Sequence, residues 1–194
     1  MADPVLETSR LVLRPMVMDD AEAMHAFKSD PVATRCYAQD PFVDEELTRG
    51  WVRAGLEGRK SGTSITWAIT LRQDGQVTGE CCLWNIDQDS KHAELGYELL
   101  RSHWKRGLMA EALNAVLEHG FNEMRLNRVE ANPLSINLAS QKVLLGLGFR
   151  REGTLRQRHF FRGEYYDELW FGLLREEWEM RGNGDWTADP NARS

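Results

Sequence analysis

The sequence predicts an α/β (α+β) fold in which helices flank a mixed central β-sheet, and three observations carry that expectation. Ile65, Trp67, Ile69 and Leu71 alternate with smaller or polar residues, and the turn Gln73-Asp74-Gly75-Gln76 leads into a return strand from Val77 to Ile86, which is the pattern of a β-hairpin. Leu95, Tyr97 and Leu99 alternate again, and from Leu108 the positions Met109, Ala112, Leu113, Val116, Leu117, Phe121 and Met124 recur at three- and four-residue steps, so a strand feeds an amphipathic helix. The same order returns when a short strand from Arg128 to Asn132 precedes a helix carrying Leu138, Ala139, Val143 and Leu147 on one side. Hairpins in the first half and strand-to-helix crossovers in the second make the sheet mixed.

The remaining elements follow in order. Ser9 to Pro15 sets Leu11 and Leu13 against Arg10, Val12 and Arg14, a short strand closed by the proline. Asp19 and Asp20 mark a helix start before Ala21, Met24 and Phe27, and that helix ends before Asp30-Pro31. Residues 31–43 hold two prolines and no clean period, so they read as loop or short turns able to line a cleft. Asp44 caps a helix running to about Lys60, which Ser61-Gly62-Thr63 breaks. Asp87 to Lys91 turns into the strand from Glu94 to Leu100, the third antiparallel neighbour. Farther on, Pro133 ends the short strand, Ser135 caps the next helix and Gly148 stops it. Phe149 to Leu155 and Tyr166 to Leu174 read as strands joined by the polar, aromatic connection 156–165, and a short helix spans Arg175 to Met180. Residues 1–181 are expected to form one domain, and 182–194, rich in Gly, Pro and polar residues, a flexible tail.

Between the third strand and the central helix lies Arg101-Ser102-His103-Trp104-Lys105-Arg106-Gly107. Its glycine lets the backbone approach a ligand, the first amides of the following helix point free, and Lys105 and Arg106 add positive charge where the helix dipole already favours an anion. A pyrophosphate suits such a turn.

The run Trp104-Lys105-Arg106-Gly107-Leu108-Met109, followed by Ala110-Glu111-Ala112, resembles the coenzyme-A pyrophosphate loop of the GCN5-related N-acetyltransferases, whose pattern is Gln/Arg-x-x-Gly-x-Gly/Ala. Trp104 and Met109 depart from the first and last marked positions, and Trp-x-x-Gly followed by x-Glu-Ala looks like the branch that acetylates ribosomal-protein N-termini. Asn137-x-x-Ser140, then Gly148-Phe149 and Glu152-Gly153, resembles a second family stretch, in which the Asn stands near the pantetheine and the Ser near the thiol sulfur. Thr8 to Arg14 with Asp19-Asp20-Ala21, and Gly163 to Trp178, are similar to the family's opening and closing segments, so the resemblance covers roughly residues 8 to 180. It implies a mostly antiparallel, splayed sheet, acetyl-CoA as co-substrate without a metal, and direct attack of an amine on the thioester. The coenzyme-binding set it implies is Tyr97, Leu99, Lys105, Arg106, Gly107, Leu108, Met109, Ala110, Asn132, Asn137 and Lys142.

Such a reaction needs a proton acceptor for the amine, donors for the carbonyl oxygen and a proton for the leaving thiolate. By resemblance Ser140 donates to the thiolate, and backbone amides near Tyr97 to Leu99 hold the oxygen. Three groups are candidates for the base: Glu94 and Glu98, which share one strand parity, and His159, which stands where some relatives carry a carboxylate six residues after Glu-Gly. The two carboxylates are favoured, because they lie on the strand beside the thioester whereas His159 is expected in a loop. A glutamate on a strand is also a common cross-strand ion-pair partner, and a loop histidine is commonly surface.

Composition bounds the partners. Hydrophobic and charged fractions of 42% and 28% are those of a soluble globular protein, no apolar run approaches a membrane span, and Met-Ala-Asp-Pro lacks the features of a secretory signal, so a cytoplasmic location is expected. A net charge of −6 argues against general affinity for nucleic acid. Cys36, Cys81 and Cys82 suggest neither a disulfide framework nor a zinc site. The acceptor reads as a protein N-terminal α-amine, with a small-molecule amine or a non-catalytic acyl-CoA sensor as alternatives, and a homodimer stays open.

Overall fold

In the computed structural model, which describes residues 4–181, one eight-stranded sheet is built from β1 (Leu6–Glu7), β2 (Leu11–Pro15), β3 (Ile65–Leu71), β4 (Val77–Asp87), β5 (His92–Leu99), β6 (Arg128–Ala131), β7 (Arg150–Phe161) and β8 (Glu164–Leu174). The spatial order is β1-β2-β3-β4-β5-β6-β8-β7. Every neighbouring pair is antiparallel except β5 and β6. That parallel step is bridged by α4 (Leu108–Asn122), the helical crossover that parallel strands require. Helices α1 (Ala21–Lys28), α2 (Pro31–Thr34) and α3 (Glu45–Ser61) fall between β2 and β3, α5 (Leu138–Gly146) between β6 and β7, and α6 (Arg175–Met180) after β8.

Strand parity divides the buried residues into two cores, one on each face of the sheet. Leu11, Leu13, Trp67, Ile69, Cys81, Leu83, Leu95, Leu99, Leu169 and Phe171 meet Leu113, Val116, Leu117 and Phe121 of α4 and Leu144 of α5 in the main core. On the opposite face Ala68 joins Met16, Met24, Phe27 and Val52, which seats α1 and α3. Cys81 and Cys82 point to opposite faces as neighbours on a strand must, and among the described residues all three cysteines are free thiols. No helix of the described residues is long and apolar enough to cross a membrane.

The sheet opens where the parallel pair fails. β5 and β6 are in register only through His92 with Arg128, Ala93 with Val129 and Glu94 with Glu130. Pro133 has no N–H to continue a ladder, and the chain after β6 turns to β8 instead: the Leu169 N–H donates to the Pro133 carbonyl (2.9 Å), the Ser135 N–H to the Asp167 carbonyl (2.9 Å), and Leu134 bridges Glu168. Beyond Glu94, the β5 edge turned towards β6 therefore has no strand partner among the described residues. This is the splay that the family resemblance implies.

Two local expectations change. The connection expected over 156–165 is mostly strand, since β7 runs on to Phe161 and β8 starts at Glu164, with Arg162 (φ 48°) and Gly163 (φ 83°) forming the tight hairpin turn. Its alternation was hidden because Arg156, Gln157 and Arg158 are all exposed and a register shift between Leu155 and His159, with Gln157 at φ 54°, breaks the period. The cap of α5 is Asn137 rather than Ser135, as the Asn137 Oδ1 accepts the Ser140 N–H at 3.1 Å. Residues 31–43 hold α2 and a single 3₁₀ turn, Arg35–Tyr37, in keeping with short turns. The tail expected from Gly182 lies outside the described residues.

Candidate active site

The turn before α4 has the backbone of an anion cradle. Lys105 (φ 60°) and Gly107 (φ 75°) both take the left-handed conformation, and Gly107 is the helix N-cap without any side-chain cap. The first helical bond runs from the Glu111 N–H to the Gly107 carbonyl (3.1 Å), so the amides of Leu108, Met109 and Ala110 project from the helix start. Lys105 and Arg106 are exposed beside them, whereas Leu108 and Ala110 are buried and anchor the turn in the core.

Two residues outside the turn hold it in place. Trp104 donates its indole N–H to the Leu99 carbonyl at 2.7 Å, tying the turn to the end of β5, which accounts physically for an aromatic at this position. Glu111 reaches across to the N-terminal segment: its Oε1 accepts from Thr8 Oγ1 (2.6 Å), Ser9 Oγ (3.0 Å) and the Arg10 N–H (2.8 Å), and its Oε2 accepts from Arg10 Nε (2.6 Å). Arg10 Nη1 then donates to the Arg106 carbonyl at 3.0 Å, closing a clip around the turn. Burial opposes the charge on Glu111, yet the donors of Thr8, Arg10 and Ser9 outweigh it and hold the carboxyl below its usual 4.5. With a lowered folded pKa, the clip contributes stability at neutral pH and loses it only as pH falls through that lowered value. Glu111→Ala is expected to cost about 2 kcal/mol in denaturant unfolding and to weaken coenzyme binding about tenfold through loosening of the turn. An unchanged unfolding midpoint and coenzyme affinity would remove the clip from this account.

Parity sorts the candidate catalytic groups onto two sides of the open seam. Tyr97 shares the parity of Leu95 and Leu99 and faces α5, where its hydroxyl lies 2.6 Å from Ser140 Oγ. Ser140 is 9% exposed and its backbone N–H is fixed by Asn137, whose Nδ2 also donates to the Cys36 carbonyl at 3.5 Å. Burial pushes the Tyr97 phenol up despite the pull of Ser140, so it stays a proton donor at neutral pH. Lys142 is exposed on α5.

On the other face stand Glu94 and Glu98, both 7% exposed. Glu98 has a partner on each oxygen, for Tyr37 donates its hydroxyl to Oε1 at 2.5 Å and Lys28 Nζ lies 2.8 Å from Oε2. Lys28 also contacts Glu80 Oε1 at 3.3 Å and sits 3.9 Å over the Trp51 ring. Burial disfavours the Lys28 charge, but Glu80 and Glu98 more than offset that, while burial pushes Glu80 up in spite of Lys28. Tyr37 is raised by burial and by Glu98, which keeps it a donor. Glu94 accepts from Asn85 Nδ2 (2.8 Å) and Asn132 Nδ2 (3.3 Å), so Asn132 supports this carboxylate from the end of β6.

His159 lies on β7 opposite Tyr166, and its Nε2 is 2.5 Å from Glu168 Oε2. Tyr166 donates its hydroxyl to Glu164 at 2.6 Å. The hairpin tip reaches the 31–43 segment, where Arg162 Nη2 meets Asp40 Oδ1 at 2.9 Å. Trp104 and Glu111 are visible in the sequence only as parts of the loop motif, and nothing there points to Lys28 or Tyr37. Glu168 carries one signal, a charged residue at the parity opposite Leu169 and Phe171 on a strand whose other face is core.

Comparison with known proteins identifies the family to which this fold belongs. The acetyltransferase (GNAT) domain family matches residues 10–150. The uncharacterized N-acetyltransferase p20 of Bacillus licheniformis is 34% identical over 173 residues, covering 89% of this chain and 97% of its own. The ribosomal protein uS5-alanine N-acetyltransferase of Escherichia coli (strain K12) is 27% identical over 181 residues, with 89% and 92% covered. The crystal structure of an acetyltransferase (GNAT family) from Bacillus anthracis superposes with a TM-score of 0.79 at 25% identity, covering 89% of this chain and 99% of that one. A family match across most of the chain, with a relative 34% identical over 89% of it, places this protein in the GNAT family of N-acetyltransferases.

Proposed function

We propose that this enzyme transfers an acetyl group from acetyl-CoA to a protein N-terminal α-amine, with residues 1–181 acting as one catalytic domain. The observation that carries the proposal is the anion cradle at Gly107, with Lys105 and Arg106 beside it, placed one short turn after the unpaired edge of β5. Pyrophosphate fits the cradle by charge and by the free amides of Leu108, Met109 and Ala110. Acetyl-CoA bound there supplies a thioester carbonyl activated for attack by an amine. The chain's own part is to present backbone donors of Tyr97 to Leu99 to the carbonyl oxygen, and the Tyr97–Ser140 hydroxyl pair, 2.6 Å apart, to the sulfur. Asn137 fixes Ser140 through its backbone, and Trp104 keeps the cradle in register with Leu99.

The acceptor class follows from proton energetics. An α-amine has an ordinary pKa of about 7.7 to 8.0 against about 10.4 for lysine, so deprotonating lysine at neutral pH costs on the order of 3 kcal/mol more. A site with one modest base is better matched to α-amines. The relative from Escherichia coli, an alanine N-acetyltransferase of ribosomal protein uS5, supports the same choice. Amine-dependent release of coenzyme-A thiol is the test, across peptides with free α-amines, the same peptides blocked at the N-terminus but carrying lysine, and small amines. The highest kcat/KM is expected for free α-amines. A preference for small amines overturns the acceptor class, and acetyl-CoA binding with no release for any amine makes the protein a sensor.

A further inference from the structure

The three groups weighed as base differ in what already occupies their polar atoms. Each oxygen of Glu98 already has one donor, Tyr37 and Lys28, and each oxygen of Glu94 has one, Asn85 and Asn132. His159 is different, because Glu168 holds only Nε2, at 2.5 Å, and the side chain is 37% exposed. Glu168 itself is fixed from two sides: it is 7% exposed, its Oε2 meets the imidazole, and its Oε1 accepts the Trp170 indole N–H at 2.9 Å. Its backbone bridges Leu134, which ties this part of β8 to the chain leaving β6. A carboxylate bound to one imidazole nitrogen sets the tautomer, placing the hydrogen on that nitrogen and a lone pair on the other.

We infer that His159 is the general base of the acetyl transfer, offering Nδ1 to the acceptor amine, and that Glu168 is its positioning residue. The inference rests on the acetyl-transfer reading above and names the proton path for it. Nδ1 takes a proton from the acceptor ammonium, and the freed lone pair forms the C–N bond as the C–S bond breaks. The Tyr97–Ser140 pair protonates the departing thiolate, the nitrogen's second proton restores that pair by way of solvent, and the imidazolium gives its proton to water. One proton is released per acetyl group transferred. The faces agree with these roles, because Tyr97 and Ser140 stand on the α5 side of the sheet while Glu168 has the opposite parity to Leu169 and Phe171.

The test compares His159→Gly, His159→Gln and Glu168→Gln with the unsubstituted enzyme. A glutamine at 168 offers an amide N–H to Nε2 and so favours the tautomer without a lone pair at Nδ1. In all three, kcat is expected to fall on the order of 10²-fold with the KM for acetyl-CoA unchanged. Added imidazole restores turnover to His159→Gly, and Glu168→Asp recovers part of what Glu168→Gln loses. All losses shrink for an acceptor amine that is already neutral at the assay pH, a readout that a purely structural His–Glu pair would not move. Undiminished kcat in His159→Gln, or a loss equal for neutral and charged acceptors that imidazole fails to restore, overturns the assignment. If the unsubstituted enzyme releases no thiol with any amine, the acetyl-transfer reading fails and this one with it; activity that persists in His159→Gln sinks the dyad alone.

Discussion

Ser140→Ala is expected to lower kcat by about 10²- to 10⁴-fold while acetyl-CoA affinity hardly changes, the span typical of removing one proton donor from a transition state. Ser140 does not act alone, because its Oγ is 2.6 Å from the Tyr97 hydroxyl and one of the two must donate to the other. Whichever donates within the pair leaves the other O–H free for the sulfur. Burial raises the Tyr97 phenol above its usual 10.0, so the pair keeps its protons through the pH range in which an amine acceptor titrates. Residues that work as a unit are non-additive, and Tyr97→Phe combined with Ser140→Ala should cost about as much as the worse single substitution. Near-native kcat in the double variant would assign the thiolate's proton to solvent. A large loss in Tyr97→Phe with Ser140→Ala nearly silent would make the phenol the donor and the serine its orienting partner.

The parts of this site that the sequence made legible are local ones. The cradle is written in consecutive residues, a strand, a glycine, two cations and a helix stripe, so short-range rules find it. Asn137 and Ser140 are similarly three apart on one helix start, although Asn137 proves to be the cap. What the sequence hides is contact across distance. Glu111 belongs to the helix stripe by position, yet its four donors come from residues 8 to 10, about a hundred positions away in the chain. The Tyr97–Ser140 pair and the Lys28–Glu98–Tyr37 cluster likewise come from α5 on one face of β5 and from α1 and the 35–37 turn on the other, a packing that periodicity does not determine. Strand parity, with His159 expected in a loop, points to a strand carboxylate as base. Parity places Glu94 and Glu98 together on one face, but it cannot reveal that Lys28, Tyr37, Asn85 and Asn132 converge on them. The strand position of His159 is hidden by a different cause: β7 is the last strand of the sheet, exposed through Arg156, Gln157 and Arg158 and shifted in register, so the alternation that marks a half-buried strand is missing there.

Gly107→Glu should weaken acetyl-CoA binding by several kcal/mol in a protein that still folds. Two effects must be separated. The first is conformational, since Gly107 has φ 75° and any L side chain there carries a strain of about 1 to 2 kcal/mol. The second is electrostatic, because a carboxylate at the helix N-cap brings like charge to the pyrophosphate and can itself turn back onto the amides of Leu108, Met109 and Ala110. Steric exclusion of the Cβ is not the cause: the nearest heavy atom it would meet is Arg10 Nη2 at 3.6 Å, ordinary contact distance. Gly107→Ala isolates the strain and is expected to lose thermal stability with a small effect on affinity, whereas Gly107→Glu loses affinity out of proportion to stability. The Arg10–Glu111 clip, which does not include position 107 as a side-chain partner, should keep the turn closed in both variants. Calorimetry checks the pair directly. Equal coenzyme affinity in folded Gly107→Glu and the unsubstituted enzyme would show that the pyrophosphate lies elsewhere, and an equal loss in both variants would show that backbone conformation, and not the anion field, governs the cradle.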